Sequence, residues 1–577
     1  MFFLKKIKTL IKKHYSAIIL TLLLGALMVL PFFYFQINLG NNFKGILPAV
    51  VNDEDFYYAR VKDVLDGHPF LSNAYLFEHK DGLPQQLFLA EWLLAQPVKL
   101  LNIGINTAHL VYNFLLPAIA FILTYLALYL VSKSRFWSII TSVFLFFGLY
   151  LTSFIRPVSP QFNFIFWLSQ LIFLWRLLEK PESKKLLFLN IFNFGLLFYI
   201  YPYYWTFYLI FFGLLIVGYF WENREIAFKI AAIAGGGLIL AIPYFYLNYL
   251  AAKLPYYEET LTRLLMIYTR FPSGFWIVFW SFFGLVFLGW FLWKKIINLD
   301  IKSLFFISGV LANVVAVNQH LITGKNFEFS SHYDMAAMFF LVFTVAYLIG
   351  NYLKKLSNTA IHRCIAVFAV LILAVTVFYG IFDYSKRAFV IDENAVYRQN
   401  YTPVFEWLNK NTEKDSVVYA NSDLSRLIPV YTANNVFYVR EANLFFISDK
   451  EVLDRFILNN FFSAFGKDFI IENDRSVYGV RYIDAYGHTV QANKLRRLLG
   501  LKTEPEVYLP EEAIQKVIGR AAELQKGNFV EEIKNYRIDY LIWDKNKNPD
   551  WEVNSKNFKP IFLSGDLIIF KSAYLSL

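Results

Sequence analysis

Tyr15-Ser-Ala-Ile-Ile-Leu-Thr-Leu-Leu-Leu-Gly-Ala-Leu-Met-Val-Leu-Pro-Phe-Phe-Tyr-Phe35 is an apolar stretch without a single charge, and its length decides the class of this chain. A bilayer core of roughly 30 Å takes about 20 apolar residues in helical form. Lys5, Lys6, Lys8, Lys12 and Lys13 precede it as the basic region of a signal peptide would. The apolar run is too long for a signal peptide and lacks a small-x-small cleavage site, so the expectation is a retained anchor with a cytoplasmic N-terminus.

The same ruler, moved along the chain, predicts about eleven spans: 15–35, 109–131, 136–155, 161–178, 186–201, 204–221, 226–247, 275–293, 303–318, 334–352 and 364–382. Composition agrees, because a 577-residue chain that is 57% hydrophobic and 20% aromatic is too apolar for an ordinary soluble protein. The net charge of +11 does not point to nucleic acid, since the cations fall in short runs between spans. Lys133/Arg135, Lys180/Lys184/Lys185, Arg224/Lys229, Lys294/Lys295/Lys302 and Lys354/Lys355/Arg363 all fall on the side of the N-terminus. An odd number of spans then places the long loop 36–108, and everything after Asp383, on the outer face of a cell membrane.

Two domains follow: a polytopic helical membrane domain over 1–383 and a soluble domain over 384–577. In the second, helical spacing over Pro403 to Asn411, Asp449 to Phe462 and Glu511 to Leu524 is interleaved with strand patterns. Those patterns fall at Ser416 to Ala420, Tyr540 to Trp543 and on either side of Ser564-Gly565-Asp566, which predicts an α/β fold. The single cysteine, Cys364, provides neither a disulfide nor a thiolate metal site.

Function is sought in the outer segments. The first carries Asp53-Glu54-Asp55-Phe56-Tyr57-Tyr58, then Arg60, Asp63, Asp66, His68, Glu78, His79 and Asp81, and an amphipathic stretch from Gln85 to Leu101 suited to the interface. Arg156 stands among prolines and aromatics in the second. Residues 248–274 hold Tyr256, Tyr257, Glu258 and Glu259, and residues 317–334 hold His320, Lys325 and His332. A carboxylate partly desolvated by aromatic neighbours can serve as a general base on an acceptor hydroxyl or amine, and nearby cations can neutralise a departing phosphate.

The acidic pair Asp53-Glu54 directly after the first span, followed by Tyr58-Ala-Arg60 and Asp66-Gly67, resembles the start of the GT-C glycosyltransferases. The likeness is to the branch of protein O-mannosyltransferases and aminoarabinose transferases. The plan is similar too: about a dozen spans, a cytoplasmic N-terminus and, in many members, a C-terminal extracytoplasmic domain. The stretch from Pro403 to Tyr438 similarly looks like the domain that follows the membrane part in bacterial relatives.

The resemblance implies a polyprenyl-phosphate-linked sugar donor and transfer to a protein, lipid or polysaccharide acceptor outside the cytoplasm. It makes Asp53 the catalytic base or the group that positions the acceptor, with Glu54 beside it. Asp55, Tyr58, Arg60, Arg156, Lys325 and His332 are then the candidates for substrate contact. Oligosaccharyltransferases of the superfamily add an Asp-x-Asp-type metal motif in the second outer loop, and Ser153 to Pro160 holds no carboxylate. His68 and His79 match no short zinc motif, so no cofactor is required by the motifs, and a divalent metal is left open with no motif to support it.

Each feature also has a plain structural reading: solvated loop carboxylates, an arginine snorkelling at the interface, an aromatic belt at Tyr199 to Trp205. Two rival classes stand beside the enzyme. A transporter or flippase of lipid-linked sugars would place ionisable groups mid-membrane, where this chain has few, and a non-catalytic scaffold would bind glycan through its outer domain.

Overall fold

The computed structural model describes residues 2–51, 53–85, 88–356, 359–553 and 556–573, with side chains from residue 11 onward. The lysines at positions 5, 6 and 8 and the start of the amphipathic stretch at 86–87 therefore fall outside the described groups. The first part is helical: α1 Phe2–Leu39, α2 Glu54–Leu65, α3 Leu89–Leu101, α4 Ile105–Ser132, α5 Arg135–Val143, α6 Asn163–Glu179, α7 Lys184–Ile200 and α8 Pro202–Glu222. There follow α9 Arg224–Leu240, α10 Ile242–Ala251, α11 Tyr257–Arg263, α12 Phe275–Trp293, α13 Ile301–Val317, the single turn α14 His320–Thr323, α15 Asp334–Lys355 and α16 Thr359–Ala388.

All eleven expected spans coincide with helices, but the helices are not equal. Among the described residues seven are long and apolar enough to cross a bilayer, and an eighth is counted if α9 and α10, bent by 48° at Ala241, form one broken span. Helix α13 and the stretch Arg135–Leu149 are apolar but shorter. A window scan cannot make this distinction, because composition alone does not show where a helix stops.

The caps explain why the helices start where they do. Ser134, Ser183 and Asn223 each accept a backbone N–H at the start of α5, α7 and α9, and Asp300 with Ser303 forms a capping box at α13. These four starts share one end of the bundle with the basic runs. Lys133 pairs with Glu179 at 3.0 Å, Arg135 donates to the Lys13 carbonyl at 3.0 Å and Lys229 to the Pro181 carbonyl at 2.8 Å. At the opposite end proline opens α8 at Pro202, where no N–H is needed.

The bundle interior is aromatic, with Trp167 meeting Phe164, Tyr208 and Phe339. A buried amide relay, Asn193 to Gln170 to Asn190 at 2.9 Å for each bond, ties α6 to α7. The glycine cluster 235–237 serves packing: a Cβ at Gly236 would press on Ile191 and one at Gly237 would overlap Phe194, both on α7.

The C-terminal part is built on a five-stranded mixed sheet. Strands β1 Val417–Tyr419, β2 Asn435–Val436, β3 Tyr540–Asp544, β4 Phe558–Ser564 and β5 Leu567–Ser572 lie in the order β2-β1-β3-β5-β4. Strand β1 runs parallel to both neighbours, whereas β5 is antiparallel to β3 and β4. Gly565, at φ +59°, makes the tight β4–β5 turn. Helix α16 runs past Asp383 to Ala388, so the membrane helix outlasts the change in composition.

The first outer loop does not stand apart from this domain. Phe56, Tyr58, Ala59 and Tyr75 share one buried cluster with Tyr401, Val404, Leu424 and Ile428. The Tyr75 carbonyl accepts the Val436 N–H at the β2 edge of the sheet at 2.9 Å.

Helix α16 approaches the bundle closely at Gly380, where a Cβ would overlap the Phe147 carbonyl and lie 2.7 Å from that of Gly148. Backbone cannot yield as a side chain does. Gly380→Ala is expected to lower the thermal unfolding midpoint of the solubilised protein, by overpacking worth about 1–3 kcal/mol. Tyr379→Ala on the exposed face should leave the midpoint unchanged.

Candidate functional site

A cavity of about 490 Å³ opens at the end of the bundle opposite the basic runs. All four outer segments converge on it: Asp53, Tyr57 and Arg60 from the first, Arg156 and Ser159 from the second, Tyr257 and Arg263 from the third, Lys325, Glu328 and His332 from the fourth. The C-terminal domain closes one side with Arg440, Phe446 and Arg475.

Helical periodicity sorts the acidic run. Asp53 stands at the N-terminal cap position of α2, and Asp53, Phe56, Tyr57 and Arg60 recur at the spacing of one helical face, the face that lines the cavity. Glu54 and Tyr58, four apart, belong to the next face and turn towards α4. There Glu54 Oε1 lies 3.1 Å from His109 Nε2, Glu54 Oε2 accepts the Val50 N–H at 2.7 Å, and the Tyr58 ring stacks on His109 at 4.2 Å. Asp55 faces the C-terminal domain, where Arg398 lies at 3.4 Å.

The expected site therefore divides. Asp53, Arg60, Arg156, Lys325 and His332 meet at the cavity. Glu54, Asp55 and Tyr58 do not line it, because 100° per residue carries each of them to another wall of α2.

Asp53 Oδ2 accepts from Arg156 Nη1 at 2.7 Å, and the guanidinium lies over the Tyr57 ring with its centre 5.2 Å from the centroid. The Asp53 side chain is 57% exposed, which keeps it reachable at the cavity rim, while Arg156 is 24% exposed. Deeper on the same wall Arg60 pairs with the buried Glu91 at 2.8 Å. Burial pushes the Glu91 carboxyl upward against the pull of Arg60.

The opposite wall holds a cluster that the sequence reading named only in part. Tyr203 donates to Glu328 Oε2 at 2.9 Å, the Tyr201 hydroxyl lies 2.8 Å from His332 Nδ1, and Glu328 and His332 approach to 3.5 Å. Glu328 holds a left-handed φ of +47°, rare for a residue with a side chain. The Asn326 amide fixes it there by donating to the Glu328 carbonyl at 2.7 Å. Burial raises the Glu328 carboxyl above its usual range, opposed by the Tyr203 hydrogen bond. The available signal was that Glu328 is the lone carboxylate of its loop before Asp334, set between two phenylalanines.

Lys325 lies over the Tyr257 and Tyr268 rings at 5.6 and 6.0 Å, with no carboxylate at ion-pair distance among the described residues. Its charge is available to an anion in the cavity. Glu259 binds the Asp449 N–H at 2.6 Å and so joins the third segment to the C-terminal domain. His68 and His79 do the same for the first, pairing with Asp415 and Glu451 at 3.1 and 3.0 Å. No group of three or more His, Cys, Asp or Glu side chains converges as a metal site among the described residues.

No protein-family model and no curated protein matches the chain. Among solved structures it is similar to the oligosaccharyltransferase of Archaeoglobus fulgidus. With the form tethered to an acceptor peptide containing the NVT sequon, the match covers 93% of this chain and 69% of that one, at 11% identity and a TM-score of 0.48. With the apo form the values are 93%, 70%, 11% and 0.45. A likeness of this size carries no argument about fold or activity, and the chemistry of the site rests on its own residues.

Burial is the largest influence on Asp55 and raises its carboxyl to about 6 from 3.8, despite Arg398. A folded-state value above the unfolded one means that the folded protein holds the proton more tightly. This contribution to stability is complete below about pH 4 and is lost as pH rises through about 6, worth at most about 3 kcal/mol. Asp55→Asn cannot ionise, and Arg398 keeps Asp423 at 2.6 Å. The unfolding midpoint of the variant should gain on the wild type between pH 4 and 7, whereas a pH-independent gap would contradict the assignment.

Proposed function

We propose that this chain is a membrane glycosyltransferase of the GT-C plan, which moves a sugar from a polyprenyl-phosphate donor to an acceptor on the outer face. The observation that carries the reading is the Asp53–Arg156 pair at the rim of a cavity made by all four outer segments. The acidic motif of the sequence and the cationic partner meet there, with aromatic walls and Lys325 beside them.

In this reading the donor's polyprenyl chain stays in lipid while its sugar lies against Tyr57, Tyr201 and Tyr203. Arg156 and Lys325 hold the phosphate. The arriving phosphate competes with Asp53 for the Arg156 guanidinium and frees the carboxylate. Asp53 then takes the proton of the acceptor hydroxyl or amine as that atom bonds to the anomeric carbon. The bond from that carbon to the phosphate oxygen breaks, and its electron pair leaves on the phosphate, where the cations stabilise the charge. Attack opposite the departing phosphate inverts the anomeric centre.

Glu54 is assigned a positioning role. The hydrogen bond it accepts from Val50 and its close approach to His109 fix the turn that presents Asp53. The basic end of the bundle is assigned to the cytoplasm and the cavity to the outside.

With a donor labelled in its sugar, Asp53→Asn is expected to lower transfer by about 10²–10⁴-fold, the usual contribution of a general base, with no loss of folded, inserted protein. Full activity would remove Asp53 from the mechanism. Orientation is tested with Cys364→Ser protein carrying one new cysteine in intact cells. Glu393→Cys should react with an impermeant maleimide directly, and Lys184→Cys only after permeabilisation; the reverse pattern would invert the topology.

A further inference from the structure

The C-terminal domain carries an arm that the proposed reaction does not use. It consists of the helix Ile483–Leu498 and a return strand-like segment, 501–507, without regular structure. Gly500, at φ +67°, turns the chain: the Leu501 N–H reaches the Arg496 carbonyl at 2.8 Å, the closure that ends a helix on a left-handed residue. Asn493, fully buried, pins the return by donating to the Glu504 carbonyl at 2.8 Å and accepting the Glu504 N–H at 2.9 Å.

Among the described residues, none covers the tip. Leu498, Leu499 and Leu501 beside the Gly500 turn, with Leu495 one helical turn back, are 58–82% exposed, an apolar cluster of a kind soluble surfaces avoid. Lys494, Arg496, Arg497 and Lys502 flank it, against only Glu504 and Glu506, which pair with Arg496 and Arg497 at 2.7 Å each. The arm's foot stands at the membrane rim. The His488 ring lies 4.0 Å from that of Phe271, just before α12, whose first residues Phe275 and Trp276 face outward. From His488 to Leu498 the helix advances about 15 Å, which bounds how far the leucines stand from the residue at the rim.

We infer that this arm is a membrane-docking element: its leucines enter the outer leaflet beside α12, and Lys494 and Lys502 meet anionic lipid headgroups. Exposed leucines with a basic flank are the composition of a helix that lies in the interface. This inference does not depend on the enzymatic reading.

The test uses full-length Cys364→Ser protein, one copy per nanodisc, with an environment-sensitive fluorophore on Leu498→Cys, Leu501→Cys or, on the domain body, Lys526→Cys. Nitroxide-bearing phosphatidylcholine is expected to quench positions 498 and 501 several-fold more than 526, and aqueous iodide to do the reverse. In discs enriched in phosphatidylglycerol the lipid quenching should rise, and Lys494→Glu with Lys502→Glu should abolish that rise. Equal quenching at the three positions overturns the proposal, as does protection from iodide only in discs holding two copies, which would make the arm a dimer contact. Lipid quenching that ignores phosphatidylglycerol overturns the headgroup assignment.

Discussion

The ion pair between Asp53 and Arg156 is the interaction on which the rest depends, because it joins two outer segments that leave the membrane separately. An arginine at the end of a span has a low-cost alternative in snorkelling to the interface. Here it is drawn over Tyr57 and onto the carboxylate instead. Such a pair, partly open to water, adds little to stability. It sets the position of a carboxylate oxygen and a cation at one rim.

That rim is held from three directions. Glu54 and Tyr58 lock the start of α2 to His109 on α4, and Arg60 locks its middle to Glu91 on α3. Phe56 and its neighbours sink into the core of the C-terminal domain. The third outer segment is tied in by Arg263, buried and paired with Asp449, whose other oxygen takes Arg481 at 2.6 Å. The C-terminal domain therefore acts as a wall of the cavity and ties down the loops that meet it.

Much of this was legible in the sequence. Apolar run length located every bundle helix, because a chain in lipid must satisfy its backbone within helices. Lysine and arginine distribution separated the two ends. Asp53, Arg156, Lys325 and His332 were named from their places in the outer segments, and they meet. Adjacent charges look equivalent in a sequence, yet α2 sends Asp53, Glu54 and Asp55 to three different neighbours. The outer loop's share in the C-terminal core was hidden as well, since residues 56 and 445 are close only after folding. Glu328 was missed because a single carboxylate between phenylalanines carries no periodic signal.

The most direct measurement follows the donor itself. Purified protein in liposomes, given a polyprenyl-phosphate sugar labelled in its sugar and a mixed acceptor extract, is predicted to release unlabelled polyprenyl phosphate as the label appears on acceptor. If the donor instead crosses to the other leaflet intact, or stays intact where it was added, the cavity is not a transferase site and the account fails.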